Sequence, residues 1–115
     1  MVGRQKPPTK DELRRYMALK EIGCIACRIN GVTRETSTEI HHLVEGNRRL
    51  GNAYTIPLCT WHHRGEAASY WEKLKGPSLA RSKREFVAEY GTERELLDAV
   101  NKILEHQGLQ LSRAC

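Results

Sequence analysis

The sequence predicts a small α+β domain: a strand-strand-helix core clasped by cysteine knuckles, with one helix before it and two after it. Three observations carry this expectation. Two segments, Cys24-Ile25-Ala26-Cys27 and Cys59-Thr60-Trp61-His62, have the internal spacing of paired metal ligands. Two histidine doublets, His41-His42 and His62-His63, hold four of the five histidines and stand beside short apolar stretches. Thr9-Lys10-Asp11-Glu12 and Thr92-Glu93-Arg94-Glu95 are capping boxes, in which a threonine and a glutamate three residues on satisfy each other's backbone N–H groups at a helix start.

In chain order, residues 1–8 form a basic arm that Pro7-Pro8 ends, and Thr9 opens a helix. Leu13, Tyr16 and Met17 recur at helical spacing with Leu19 beside them and are read as its core face; Gly23 ends it. Asn30-Gly31 marks a turn. Thr36 to Leu43 and Ala53 to Leu58 read as strands, with Glu45 to Asn52 as the polar, glycine-bearing loop between them. From Thr60 a helix is expected to run to about Leu74, stopped by Gly76-Pro77. A further helix within Ser78 to Tyr90 uses Leu79, Phe86 and Tyr90, and Gly91 closes it. The last helix carries Leu96, Leu97, Val100, Ile103 and Leu104 on one face. Residues 9–107 make one domain and 108–115 a loose tail.

At 115 residues, with 39% hydrophobic and 6% aromatic side chains, the chain has a thin core that a metal clip would stabilise. No apolar run approaches the roughly 20 residues of a membrane span, and the first ten residues are polar and basic. A cytoplasmic monomer with no membrane partner is therefore expected. Of the net charge of +5, +4 falls in residues 1–20, where Arg4, Lys6, Lys10, Arg14, Arg15 and Lys20 face only Asp11 and Glu12. That asymmetry points to a polyanion, with a merely solvated tail as the alternative.

Cys24, Cys27, Cys59 and His62 are expected to close a tetrahedral structural zinc site, leaving Cys115 over. His63 is then free to point elsewhere. On a strand, His41 and His42 face opposite ways, so one can bind a second metal while the other stays unbound and basic.

A histidine doublet ending one strand, a second strand leading into a Cys-x2-His-His knuckle, and a helix after it resemble the HNH, or ββα-metal, nucleases. The resemblance implies His41 and His63 as ligands of a catalytic divalent ion, magnesium or another, and His42 as general base. Ile22-Gly23-Cys24-Ile25-Ala26-Cys27-Arg28, Ile40-His41-His42, Leu58-Cys59-Thr60-Trp61-His62-His63-Arg64-Gly65 and Gly76-Pro77-Ser78-Leu79-Ala80 are more narrowly similar to the phage recombination-enhancement nucleases. That likeness spans roughly residues 13 to 105. It implies a metal-dependent DNA endonuclease of low sequence specificity, phage or prophage encoded, working with RecA filaments in a bacterial cell and leaving 5′ phosphate and 3′ hydroxyl ends.

Two other readings stay open: a zinc-containing DNA-binding module without catalysis, and a restriction-type HNH nuclease independent of RecA. Asn52 is the candidate for the family's middle asparagine, although spacing puts Tyr54 nearer and a backbone carbonyl could orient His42 instead. Glu66, one turn after His63, is either an ion or water contact or a surface carboxylate. Arg48, Arg49 and Arg64, with Arg4, Lys6, Arg14 and Arg15, are the candidate phosphate contacts. Trp61 and Trp71 either stack on bases or pack in the core.

Overall fold

The computed structural model describes residues 7–31, 38–67 and 74–107, so Arg4, Lys6, Trp71 and the tail lie outside the described residues. Helix α1 (Lys10–Ile22) begins at the expected capping box: Glu12 N–H donates to Thr9 Oγ1 at 3.1 Å and Thr9 N–H to Glu12 Oε1 at 2.9 Å. Gly23, at φ 79°, ends it. The buried face differs from the one expected. Arg15, Ala18, Leu19 and Ile22 face inward, whereas Met17 is 68% exposed, Leu13 is exposed and Tyr16 is half-buried. The helix carries two apolar stripes, and the rotation that wins lets Arg15 reach the interior.

Arg15, read above as a phosphate contact, is thereby corrected to a structural residue. It is 8% exposed, and its guanidinium donates to Thr55 Oγ1 (2.9 Å), Thr55 O (2.6 Å) and Asn101 Oδ1 (2.8 Å). These bonds replace the water that the buried charge has lost and tie α1 to the second long strand and the last helix.

Both knuckles use one local device. In α2 (Ile25–Ile29) the cap is Cys24, whose sulfur accepts from Cys27 N–H; in α3 (Thr60–Arg64) the cap is Cys59, whose sulfur accepts from His62 N–H. A thiolate at the N-cap satisfies an orphan helix donor, and the residue three positions on turns toward the same point as the cap. Helix α3 stops at Gly65, in the left-handed region at φ 71°, with its N–H on Trp61 O. The single helix expected from Thr60 to Leu74 is therefore corrected to one of five residues.

Strands β1 (Thr38–His42) and β4 (Thr55–Cys59) pair antiparallel, with Glu39 opposite Leu58, His41 opposite Ile56 and His42 opposite Thr55. Pro57 fits because each strand of a two-stranded sheet has an unpaired edge. The intervening segment is not a plain loop. It folds as a second small hairpin, β2 (Val44–Glu45) with β3 (Arg48–Arg49), about a Gly46-Asn47 turn with φ of 58° and 64°. Two central residues at positive φ match the twist of a hairpin, and Gly-Asn tolerates them.

Helices α4 (Lys83–Tyr90) and α5 (Glu93–His106) complete the domain, and α5 opens with the second expected capping box. Leu96, Leu97, Val100 and Leu104 from α5 join Leu19, Leu43, Ile56, Leu58 and Phe86 in one core around the fully buried β4. Trp61 packs against that core with its Nε1–H on Gly76 O, so core packing accounts for it. The architecture is the small α+β fold expected, and among the described residues no helix is long and apolar enough to cross a membrane.

Candidate metal centre and catalytic corner

Cys24, Cys27, Cys59 and His62 are all buried, and their ligand atoms lie within 4.8 Å of one another. His62 Nδ1 is 3.4, 3.5 and 3.3 Å from the sulfurs of Cys24, Cys27 and Cys59, and Cys27 Sγ is 3.8 Å from Cys59 Sγ. For a tetrahedral zinc, the usual bond lengths give edges of about 3.8 Å between sulfurs and about 3.6 Å between sulfur and nitrogen. The three His62–sulfur distances and the Cys27–Cys59 separation are thus close to the edges that zinc requires.

The surroundings select the correct tautomer of His62. Its Nε2–H donates to Lys75 O at 3.2 Å, which leaves the Nδ1 lone pair toward the sulfurs. The same carbonyl accepts from Tyr90 OH (2.7 Å) and Asn30 Nδ2 (2.9 Å). A Cβ on Gly76, at φ 109°, would come within 2.6 Å of Tyr90 OH, so glycine permits this approach. Hydrogen bonding to the sulfurs of Cys24 and Cys59, then burial, pushes the Cys27 thiol well up, since its proton is shared with them and its charge is kept from water. The cluster can hold a structural zinc.

A second corner forms where β1 meets α3. His41 Nδ1 lies 3.1 Å from His63 Nε2. Each ring is held from behind by a carboxylate: His41 Nε2–H donates to Glu93 Oε1 at 2.8 Å, and His63 Nδ1–H to Glu39 Oε1 at 2.9 Å. Both facing nitrogens then carry lone pairs, an arrangement that repels unless a proton or a metal ion sits between them. His41 holds the Glu93 carboxyl below its ordinary range. Burial would raise Glu39, but His63 and Arg64 outweigh it and hold that carboxyl low as well.

Glu39 and Glu93 escaped the sequence reading. Glu39 stands two residues before His41 and so on the same face of the strand, a signal available from strand periodicity. Glu93 is 52 residues from His41, and its capping-box setting accounted for it locally.

The structure places the other candidates as follows. His42 has its own partners: its Nε2 lies 3.0 Å from Asn52 Oδ1 and 3.2 Å from Tyr16 OH. Burial, then the positive charge of Arg49, lowers its pKa against the opposing bond to Asn52, so the ring is neutral at pH 7. It borders a cleft of about 410 Å³ lined also by Glu12, Arg49, Gly51 and Asn52.

Arg64 is not brought out as a phosphate contact. It donates from Nε and Nη2 to the two oxygens of Glu39 (3.0 and 2.7 Å) and from Nη1 to Glu66 Oε2 (3.3 Å). Glu66 makes no metal-binding trio with His41 and His63 and lies on the surface. Arg14 is half exposed and paired with Asp11. Arg48 and Arg49 lie exposed on β3, whose hairpin Arg94 braces through both oxygens of Glu45.

Fold and site together define a small α+β domain in which a cysteine-histidine cluster able to hold zinc adjoins a carboxylate-backed histidine pair. Residues 8–105 match the family described as recombination enhancement, RecA-dependent nuclease, and the chain belongs to that family. A nuclease role in recombination follows from that membership.

Proposed function

We propose that the protein is a divalent-ion-dependent DNA endonuclease of the HNH, or ββα-metal, type, of low sequence specificity and acting on DNA carrying RecA filaments in the bacterial cytoplasm. The observation that carries the reading is the facing of His41 Nδ1 and His63 Nε2 at 3.1 Å, each ring with a carboxylate on its other nitrogen. Two imidazole ligands leave positions open for water and a phosphate oxygen. Held by His41 and His63, magnesium or another divalent ion would supply Lewis-acid stabilisation of the phosphorane charge and of the departing 3′ oxygen.

His42, neutral and beside the cleft, accepts the proton of the attacking water at Nδ1, while Asn52 holds Nε2–H. Arg48 and Arg49 on the hairpin, with Arg4, Lys6 and Arg14 toward the N-terminus, contact phosphates and position the strand without reading bases. Duplex plasmid and single-stranded circles, incubated with magnesium with and without a RecA filament, test the reading. Cutting that requires both magnesium and RecA is expected. A protein that binds DNA but never cuts would be a binding module, and site-specific cutting of naked duplex would make it a restriction-type enzyme.

A further inference from the structure

We infer that Glu12, the capping-box glutamate of α1, is a positioning residue for the reaction: acting through Asn52, it fixes which nitrogen of His42 stays unprotonated. This rests on the reading of His42 as the base. Glu12 Oε1 accepts from Thr9 N–H at 2.9 Å and also from Asn52 Nδ2 at 3.1 Å, across 40 residues of sequence. Capping explains the first bond and not the second.

The order of donors then follows from chemistry. The Thr9 backbone N–H and the Asn52 amide hold the Glu12 carboxyl below its ordinary range, and an ionised carboxylate can only accept. Asn52 must therefore turn its NH2 toward Glu12. The same planar amide presents Oδ1 to His42, 3.0 Å from Nε2. A carbonyl oxygen also only accepts, so Nε2 carries the proton and Nδ1 keeps the lone pair.

Without Glu12 the amide is free to turn over, offer NH2 to His42 and drive the proton onto Nδ1. Tyr16 OH, 3.2 Å from Nε2, cannot make the choice, because a hydroxyl donates or accepts with equal ease. Glu12, Asn52 and His42 line the same cleft, so the relay lies along one open surface beside the base.

The test uses the zinc-loaded full-length chain with 15N-labelled histidine. Long-range 1H–15N spectra read the tautomer of His42, assigned by the signals missing from His42→Ala. Wild type should show the Nε2–H form, and Glu12→Gln should keep it, since its carbonyl still accepts from Asn52. Glu12→Ala should give a tautomer mixture and a turnover number at least about tenfold lower, with KM for DNA within about twofold. Glu12→Asp keeps a negative charge at the helix start but retracts the carboxylate from Asn52, and should behave as Glu12→Ala does even where the alanine variant fails to fold. An unchanged tautomer in folded Glu12→Ala or Glu12→Asp would overturn the relay whatever the activity. A shifted tautomer with undiminished cutting would overturn His42 as the base, and with it the bearing of the relay on the reaction.

Discussion

Glu93 holds His41 through a 2.8 Å hydrogen bond, so the first residue of the last helix is part of a corner built from the middle of the chain. Its position at the helix start also favours a negative charge there. Glu93→Ala should therefore weaken the divalent ion by about 10-fold to 100-fold while leaving zinc content unchanged. Titrating cleavage against magnesium in the variant and the wild type checks this, and coincident midpoints would refute it.

His42→Ala should abolish cutting and spare folding, zinc content and DNA affinity, because the side chain is assigned to proton transfer alone. General-base catalysis contributes about 100-fold or more. Residual cleavage within about tenfold of wild type would remove His42 from that role.

Cys27→Ser and Cys59→Ser should unfold the domain, since each withdraws a ligand from the buried cluster and zinc binding supplies folding free energy. Metal analysis of the purified wild type should find one tightly held zinc. A folded, zinc-free wild type would contradict the assignment.

Arg15→Met should lower stability by about 1–3 kcal/mol, because the acceptors on Thr55 and Asn101 lose a buried donor. DNA affinity and its salt dependence should not change. Arg14→Ala should do the reverse, losing about one phosphate contact from the salt slope with stability nearly intact. Denaturant melts and binding isotherms on the two variants separate the roles.

Removing residues 1–8 takes away Arg4 and Lys6 and should weaken DNA binding evenly across sequences, the salt slope falling by about one to two contacts' worth. Cutting at low salt and saturating protein should survive. Superimposable affinity curves against salt would show the arm to be only a solvated tail.

What could be read from the chain was what spacing controls. The cysteine-histidine cluster follows from two copies of one cap-plus-three arrangement, Cys24 with Cys27 and Cys59 with His62, and both capping boxes are local by nature. The face of α1 was not local. Leu13 and Met17 form as good an apolar stripe as Leu19 and Ile22, and only the pocket made by Thr55 and Asn101 decides that Arg15 goes inside. Hydrophobic periodicity reads an arginine as outward, so it selects the wrong stripe whenever the interior offers acceptors.

The histidine corner divides the same way. Opposite directions for His41 and His42 follow from strand geometry, while Glu93 and the Glu12 to Asn52 bond depend on how distant elements pack. The early stop at Gly65 and the Gly46-Asn47 hairpin were written in residue types that favour positive φ. Apolar periodicity and polarity over longer stretches favour a longer helix and a plain loop, and those single residues override both.

His62 and His63 are consecutive on a five-residue helix, and one turns to the sulfurs while the other meets His41. Neighbours on a helix point about 100° apart, so that division depends on strict counting from Cys59. The chain should therefore accept extra residues very unevenly. At the exposed Gly46-Asn47 turn an insertion would lengthen a hairpin tip and leave every ligand in place. Between Cys59 and His63 a single inserted or deleted residue would hand each histidine its neighbour's direction and cost both centres at once.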